Sequence, residues 1–295
     1  MGCRMLTVQT IADGLVLGGL YALAAVGFSL IFGVLSVVNL SHGVLVLIGG
    51  YLAWFLWHSV GLDPILAIPP VMAVMFALGY LYQRSLVQIA VERSSLLASM
   101  LVTFGVALML RNLLVLLFSP DFKSITPAYA FAHLRLGAVT LDLVRVGALA
   151  LSLALLSALA LILRATRIGR VMRATAQQEL AARLCGVDVR HVYALTFGVS
   201  AAFAGASGAV IGLVLPFSPS DEGLWTMNAF VVVTLGGIGS PAGALLGGLL
   251  LGLINTFAAR LIGPAFPNAM MFLVLVAMLL LRPAGLLGNA LRARA

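Results

Sequence analysis

IADGLVLGGLYALAAVGFSLIFG, Ile11–Gly33, is the stretch that decides the fold class. A bilayer core requires about 20 consecutive apolar residues in a helix, and this run supplies them. Arg4 ahead of it and the Ala22-Leu23-Ala24 triplet within it resemble parts of a cleavable signal peptide. The apolar run passes the triplet and continues to Leu35, so it reads as a retained first helix.

The rest of the chain repeats this character. Its 295 residues are 62% hydrophobic and 9% charged, against about 25% charge in an ordinary soluble domain. One soluble core could not hide that surplus, so the bilayer is the solvent for most of the chain. Further spans are expected at Val44–Trp57, Ile65–Tyr82, Leu96–Phe118, Val144–Leu163, Val192–Leu215, Trp225–Ile238, Ala242–Ile262 and Ala269–Leu281. Helix is the only choice that satisfies the backbone of open-ended segments in lipid. The fold class is therefore all-α, a single polytopic helical bundle over 1–295. It has eight or nine spans, depending on whether Trp225–Ile238, which runs into Gly236, Gly237 and Gly239, is a half-helix or re-entrant element.

Charge orients the bundle. Six of the sixteen arginines fall between Arg164 and Arg190: Arg164, Arg167, Arg170, Arg173, Arg183 and Arg190. Lysine and arginine near span ends mark the cytoplasmic side. Arg84, Glu92 and Arg93 mark a short basic-leaning loop on that side, and Arg282, Arg292 and Arg294 a basic tail. The loop Ser119–Asp142, Asp221 and Glu222 then fall outside, while the side of the amino terminus depends on the half-span and on whether Val34–Ser41 crosses. The net charge of +8 does not imply a nucleic-acid partner, because the arginines sit at span ends with no soluble domain to present them. Cys3 and Cys185 are too few and scattered for a disulfide framework.

Small residues recur every four positions at Gly14, Gly18 and Ala22, at Ser200, Ala204, Gly208 and Gly212, and at Gly239, Gly243 and Gly247. That spacing lets helix backbones approach closely in lipid, so it predicts tight packing and not an activity.

Three stretches could carry chemistry. Asn39-Leu40-Ser41-His42-Gly43 is a polar knot between apolar segments. It reads either as a helix break whose side chains cap backbone groups or as part of a solute pathway, which transporters build from discontinuous helices. Gly236-Gly237-Ile238-Gly239-Ser240-Pro241 lacks the lysine of a phosphate loop, since Lys123 is the chain's only lysine. It predicts a sharp break permitting close helix approach or backbone exposure to a passing solute. Arg111, inside a span, either snorkels to the interface or serves function. A lone histidine does not make a metal site, and no nucleophile–base set is present for catalysis by this chain.

Within the arginine island, Gly169 and Gly186 bracket a run of good helix formers from Gln177 to Ala182. Met172, Ala176, Leu180 and Leu184 predict one apolar ridge, to be buried on the membrane, the bundle or a partner, with Gly186 as the C-terminal cap.

Ala181-Ala182-Arg183-Leu184-Cys185-Gly186 is similar to the A-A-x-x-x-G of the EAA loop of bacterial ABC importer permeases, with Leu180 in the usual glutamate slot and Glu179 one residue earlier. The wider pattern resembles the branched-chain amino-acid permeases of the LivH type. It includes Asn39-x-Ser41-His42-Gly43 (Ser41 where alanine is usual), Thr166-Arg167-x-Gly169-Arg170, Arg173-Ala174-x-Ala176-Gln177, Leu235-Gly236-Gly237-Ile238-Gly239-Ser240 and Arg282-Pro283-x-Gly285-Leu286-x-Gly288. The resemblance implies an inner-membrane permease, without an ATPase site or cofactor of its own, in an ABC importer for branched-chain amino acids or a related small polar solute. It implies as partners a second homologous permease, two cytoplasmic ATPases that use ATP, and a periplasmic solute-binding protein. On this resemblance the 164–190 segment is the ATPase-coupling loop, with Arg170, Arg173, Gln177, Ala181, Ala182 and Gly186 at its contact. The candidate pathway residues are Asn39, Ser41, His42, Gly236, Gly237 and Gly239. The rival reading is a secondary transporter or channel driven by an ion gradient.

Overall fold

The first apolar run folds as one helix, α1, Gly2–Leu35. The computed structural model describes residues 2–92, 96–131, 133–136, 139–237, 239–282 and 284–287. Arg93, Ile238, Pro283, Gly288, Arg292 and Arg294, used above for topology or resemblance, lie outside the described residues. After α1 come α2, His42–Val60; α3, Ile68–Tyr82; α4, Gln88–Glu92; α5, Leu96–Phe118; and α6, Leu143–Ala165. The arginine island forms α7, Arg167–Gln177, and α8, Glu179–Leu184. The chain continues as α9, Val189–Val214; α10, Glu222–Gly236; α11, Pro241–Leu261; and α12, Pro267–Leu281.

Among the described residues, six helices are long and apolar enough to cross a membrane: α1, α2, α5, α6, α9 and α11. α3, α10 and α12 have 15 residues each, about 22 Å at the α-helical rise, which is short of a bilayer core. α3 is prolonged without a gap by a π-helical turn, Gln83–Val87, and by α4. This corrects the expected loop at Arg84 and Glu92: both are helical, Gln83 is buried, and the chain stays in the bundle. A second addition to the all-α expectation lies in Ser119–Asp142. There β1, His133–Leu136, pairs antiparallel with β2, Val139–Asp142. Beside this hairpin, Tyr129 donates to Asp63 Oδ1 at 3.4 Å. Burial and the Asp63 charge push the phenol up to about 12.

α1 and α9 are buried along most of their length, whereas α5 and α6 are largely exposed. The small-residue rows do what their spacing predicts. On α1, Gly18 presses on the Leu249 backbone of α11, where a Cβ would stand 2.7 Å from Leu249 Cα. On α9, Gly205 and Gly208 meet Gly49 and the Val46 carbonyl of α2, backbone on backbone, and any Cβ would collide. On α11, Gly243 and Gly247 pack against Gly236 and the Val232 carbonyl of α10.

These contacts also set direction. Gly14 faces Leu253 while Gly33 faces Gly239, so α1 and α11 run antiparallel. At one end Arg260 donates to Thr10 at 2.7 Å, and Arg145 pairs with Asp13 at 3.2 Å and with Asp142, at the end of β2, at 3.1 Å. At the other end Gly33 and Gly239 share a cavity lining with Arg164, Met172 and Arg173 of the arginine island. The amino-terminal end of α1 therefore lies opposite the island. Val34–Ser41 does not cross: α1 ends at Leu35, and Ser36 turns the chain with a φ of 55°.

Candidate functional site

The polar knot lies inside the bundle, where Asn39, Ser41 and His42 are all fully buried. Asn39 Oδ1 accepts from the Ser41 amide at 3.1 Å and from the Ser41 hydroxyl at 2.6 Å, the local turn that asparagine favours. Because that hydroxyl proton goes to Asn39, Tyr82 OH donates to Ser41 Oγ, at 3.1 Å. The His42 Nε2 lies 2.7 Å from the Ala24 carbonyl of α1. A carbonyl only accepts, so Nε2 carries the proton and Nδ1 is left as an acceptor. Two further hydroxyls complete the knot: Thr103 of α5 accepts from the Leu40 amide at 3.2 Å, and Thr226 of α10 accepts from the Gly43 amide at 2.9 Å. Among the described residues, Asn39 Nδ2 and His42 Nδ1 have no hydrogen-bond partner.

The knot thus gathers α1, α3, α5 and α10 around the start of α2. Ala24, Tyr82, Thr103 and Thr226 are the partners that sequence reasoning missed; each is remote in the chain, and no local pattern marks it. Close by, Arg111 of α5 reaches Glu222, the first residue of α10, at 3.8 Å. The in-span arginine is therefore tied to the end of this short helix.

Gly236, Gly237 and Gly239 do not join the knot. They lie at the other end of α10, ten residues beyond Thr226, or about 15 Å along the helix axis. Gly237 has a φ of 101° and Gly239 one of 77°, conformations open to glycine, and they turn the chain into α11. Ser240 caps α11 by accepting from the Gly243 amide at 3.0 Å, with Pro241 at its first position. The segment after α12 closes the end of α10: the Leu286 and Leu287 amides donate to the Leu235 and Gly236 carbonyls at 2.8 and 3.0 Å. The candidate pathway residues thus form two separate clusters.

The arginine island is built against α6. Thr166 caps α7, accepting from the Gly169 amide at 3.1 Å and donating to the Ile162 carbonyl at 2.6 Å. Gly169 rests on the Leu163 carbonyl, and a Cβ there would collide with it. The Arg173 guanidinium donates to that same carbonyl, so Arg173 serves the end of α6 as well as the loop surface. Arg170, Gln177, Ala181 and Gly186 are exposed, and Ala182 is buried.

The expected single ridge is corrected here. Gln178 has φ −155° and ψ 103°, an extended residue that breaks the run into α7 and α8. Met172 is buried against the bundle, but Leu180 and Leu184 are 65% and 82% exposed. Glu179 and Arg183 form an i, i+4 pair at 2.5 Å along α8. Gly186 then ends α8 as expected, at a φ of 82°. Its amide donates to the Arg183 carbonyl and that of Val187 to the Ala182 carbonyl, the paired bonds of a Schellman cap. An exposed α8, capped by a glycine and bracketed to a membrane helix, is a surface that a soluble partner can grip.

Residues 10–281 match the family model described as the permease component of the branched-chain amino acid transport system. The chain is 29% identical over 300 residues to the high-affinity branched-chain amino acid transport system permease protein BraD of Pseudomonas aeruginosa, covering 96% of each chain. It is 27% identical over 299 residues to the permease protein LivH of Escherichia coli, again with 96% of each covered. A shorter stretch, 41% of this chain and 28% of the relative, is 32% identical to the Escherichia coli permease protein LivM. With its membrane-length helices, knotted interior and bracketed island, the chain belongs to the branched-chain amino acid transport system permease family.

Proposed function

We propose that this permease carries branched-chain amino acids, or a closely related small polar solute, across the inner membrane. In this reading it pairs with a second, homologous permease, as the partial likeness to LivM suggests. Two cytoplasmic ATPases hydrolyse ATP for it, and a periplasmic binding protein delivers the solute. The observation that carries the reading is α8: Leu180 and Leu184 lie exposed beside the Gly186 cap, on a segment fastened to α6 through Gly169 and Arg173. α6 spans to the far face, where Arg145 holds Asp13 of α1. An ATPase that moves α7 and α8 therefore moves α6 and, through it, the central helix α1.

In this reading α1, α2, α5, α6, α9 and α11 cross the bilayer, and α3 crosses with its continuation to Glu92. The short α10 and α12 bring the set to nine, with α10 as the half-helix whose start is tied to the knot. The side opposite the arginine island, and so the amino terminus, faces the periplasm. The break at Asn39–Gly43, where two helices begin inside the bundle, is the part of the pathway that opens when they separate. The pairing of polar side chains across that break supports this role, as transporters place their sites at such discontinuities.

Leu180→Asp combined with Leu184→Asp tests the docking reading. The double variant should lose at least about tenfold in ATPase co-purification, the scale of an interface anchor pair, with an unchanged melting temperature. Full ATPase retention would overturn the assignment of α8 as the contact.

A further inference from the structure

Between the island-side ends of α1, α6, α7 and α11 lies a cavity of about 560 Å³. Its lining mixes polar and apolar groups, with the cations gathered at the island end. Arg164, Arg173, Gln177 and Ser240 line it at the island end, and Leu153, Leu156 and Leu245 line it deeper along the helices. Two cationic side chains line it and no carboxylate does. Arg164 makes no ion pair among the described residues.

The first turn of α11 opens onto the same end, with Ser240, Pro241 and Ala242 in the lining. At this turn Pro241 has no amide hydrogen and Ser240 takes the Gly243 amide, so Ala242 offers the remaining early amide, and the positive end of the helix dipole favours an anion. A separate observation points to a ligand. Ser29 of α1 is 1% exposed and lines this cavity, yet among the described residues its hydroxyl has no hydrogen-bond partner. A buried hydroxyl left unsatisfied in a cavity wall is a polar group in want of a partner.

The dimensions favour a guest with a tail. From Arg164 to Leu153 is eleven residues of α6, about 16 Å along its axis, the scale of one leaflet's acyl region. Leu153 and Ser157 are exposed on α6, so the deeper part of the cavity opens at the surface of the chain. A free phosphate or a nucleotide has no use for that apolar side. Basic pockets between membrane helices at the cytoplasmic face are suited to anionic headgroups.

We propose that this cavity binds an anionic phospholipid. Its phosphate sits between Arg164, Arg173 and the start of α11, and one acyl chain lies along α6 toward Leu153. The lipid then fills the space beneath α7 and joins the arginine island to the membrane bundle. The assignment concerns binding alone and stands whichever solute is carried.

Native mass spectrometry of the delipidated full chain in detergent tests it, with phosphatidylglycerol, phosphatidylcholine and inorganic phosphate as probes. Phosphatidylglycerol should be retained at least about tenfold over phosphatidylcholine, as headgroup charge recognition requires. Arg164→Gln should remove most of that preference. Ala160→Trp, which fills the apolar side and leaves the cationic end intact, should lower retention of phosphatidylglycerol. Equal retention of the two lipids would overturn the proposal. So would unchanged retention in both variants, or full displacement by inorganic phosphate with no effect of Ala160→Trp, which would mark a plain anion site.

Discussion

Gly186→Leu is expected to reduce transport by at least about tenfold while the bundle stays folded, because it removes a cap and fills a contact surface at once. The φ of 82° at Gly186 belongs to the left-handed region, where a residue with a Cβ is disfavoured by about 1–2 kcal/mol. Apart from its own chain neighbours, no atom of the described residues lies within 4 Å of the position a Cβ would take, so the rest of the chain offers no clash. The new side chain instead projects into the space assigned to the ATPase. Gly186→Asn separates the two effects, since asparagine tolerates the left-handed conformation and is short. It should retain much more transport than Gly186→Leu. The readouts are ATP hydrolysis and solute uptake by the same reconstituted complex, which should diverge for the leucine variant. Equal coupling in wild type and Gly186→Leu would remove the docking role.

Gly208→Leu is expected to destroy the folded bundle. A Cβ on Gly208 collides with the Val46 carbonyl and stands 2.6 Å from the Gly50 amide nitrogen. The neighbouring contact of Gly49 with Gly205 is equally close, so α2 and α9 meet backbone to backbone at these two points. Overpacking a core by rotamer strain costs about 1–3 kcal/mol, but no rotamer relieves a collision with backbone, so the loss should exceed that range. α9 is the buried centre of the bundle, so separating it from α2 also opens the polar knot to lipid. Size-exclusion profile and melting temperature in detergent report the outcome, with Leu116→Ala at an exposed position of α5 as the control. A monodisperse Gly208→Leu protein with wild-type melting would contradict the packing described here.

The contrast between these two glycines shows what was legible beforehand. The apolar runs placed the helices closely, and Leu96–Phe118 coincides with α5. The four-residue rows foretold that Gly208 would touch another backbone, but not that the partner would be Val46. Gly186 was legible as a cap because capping is local. The break at Gln178 was not: Gln177, Gln178 and Glu179 all favour helix, yet Gln178 is extended and separates α7 from α8. Gly169 and Arg173 bind α7 to the end of α6, while Gly186 closes α8 separately. Arg84 misled for a similar reason, since charge marks a span end but does not say that the helix stops. The knot announced itself by polarity, whereas its partners on α1, α3, α5 and α10 are a property of the folded bundle alone.

This chain should move solute only as the membrane part of an ATP-driven assembly. Proteoliposome uptake of labelled leucine tests it directly, comparing the complete assembly with internal ATP against this chain alone under a proton or sodium gradient. Uptake should occur only in the complete assembly and should stop when ATP is omitted. Gradient-driven accumulation by the chain alone would contradict the account.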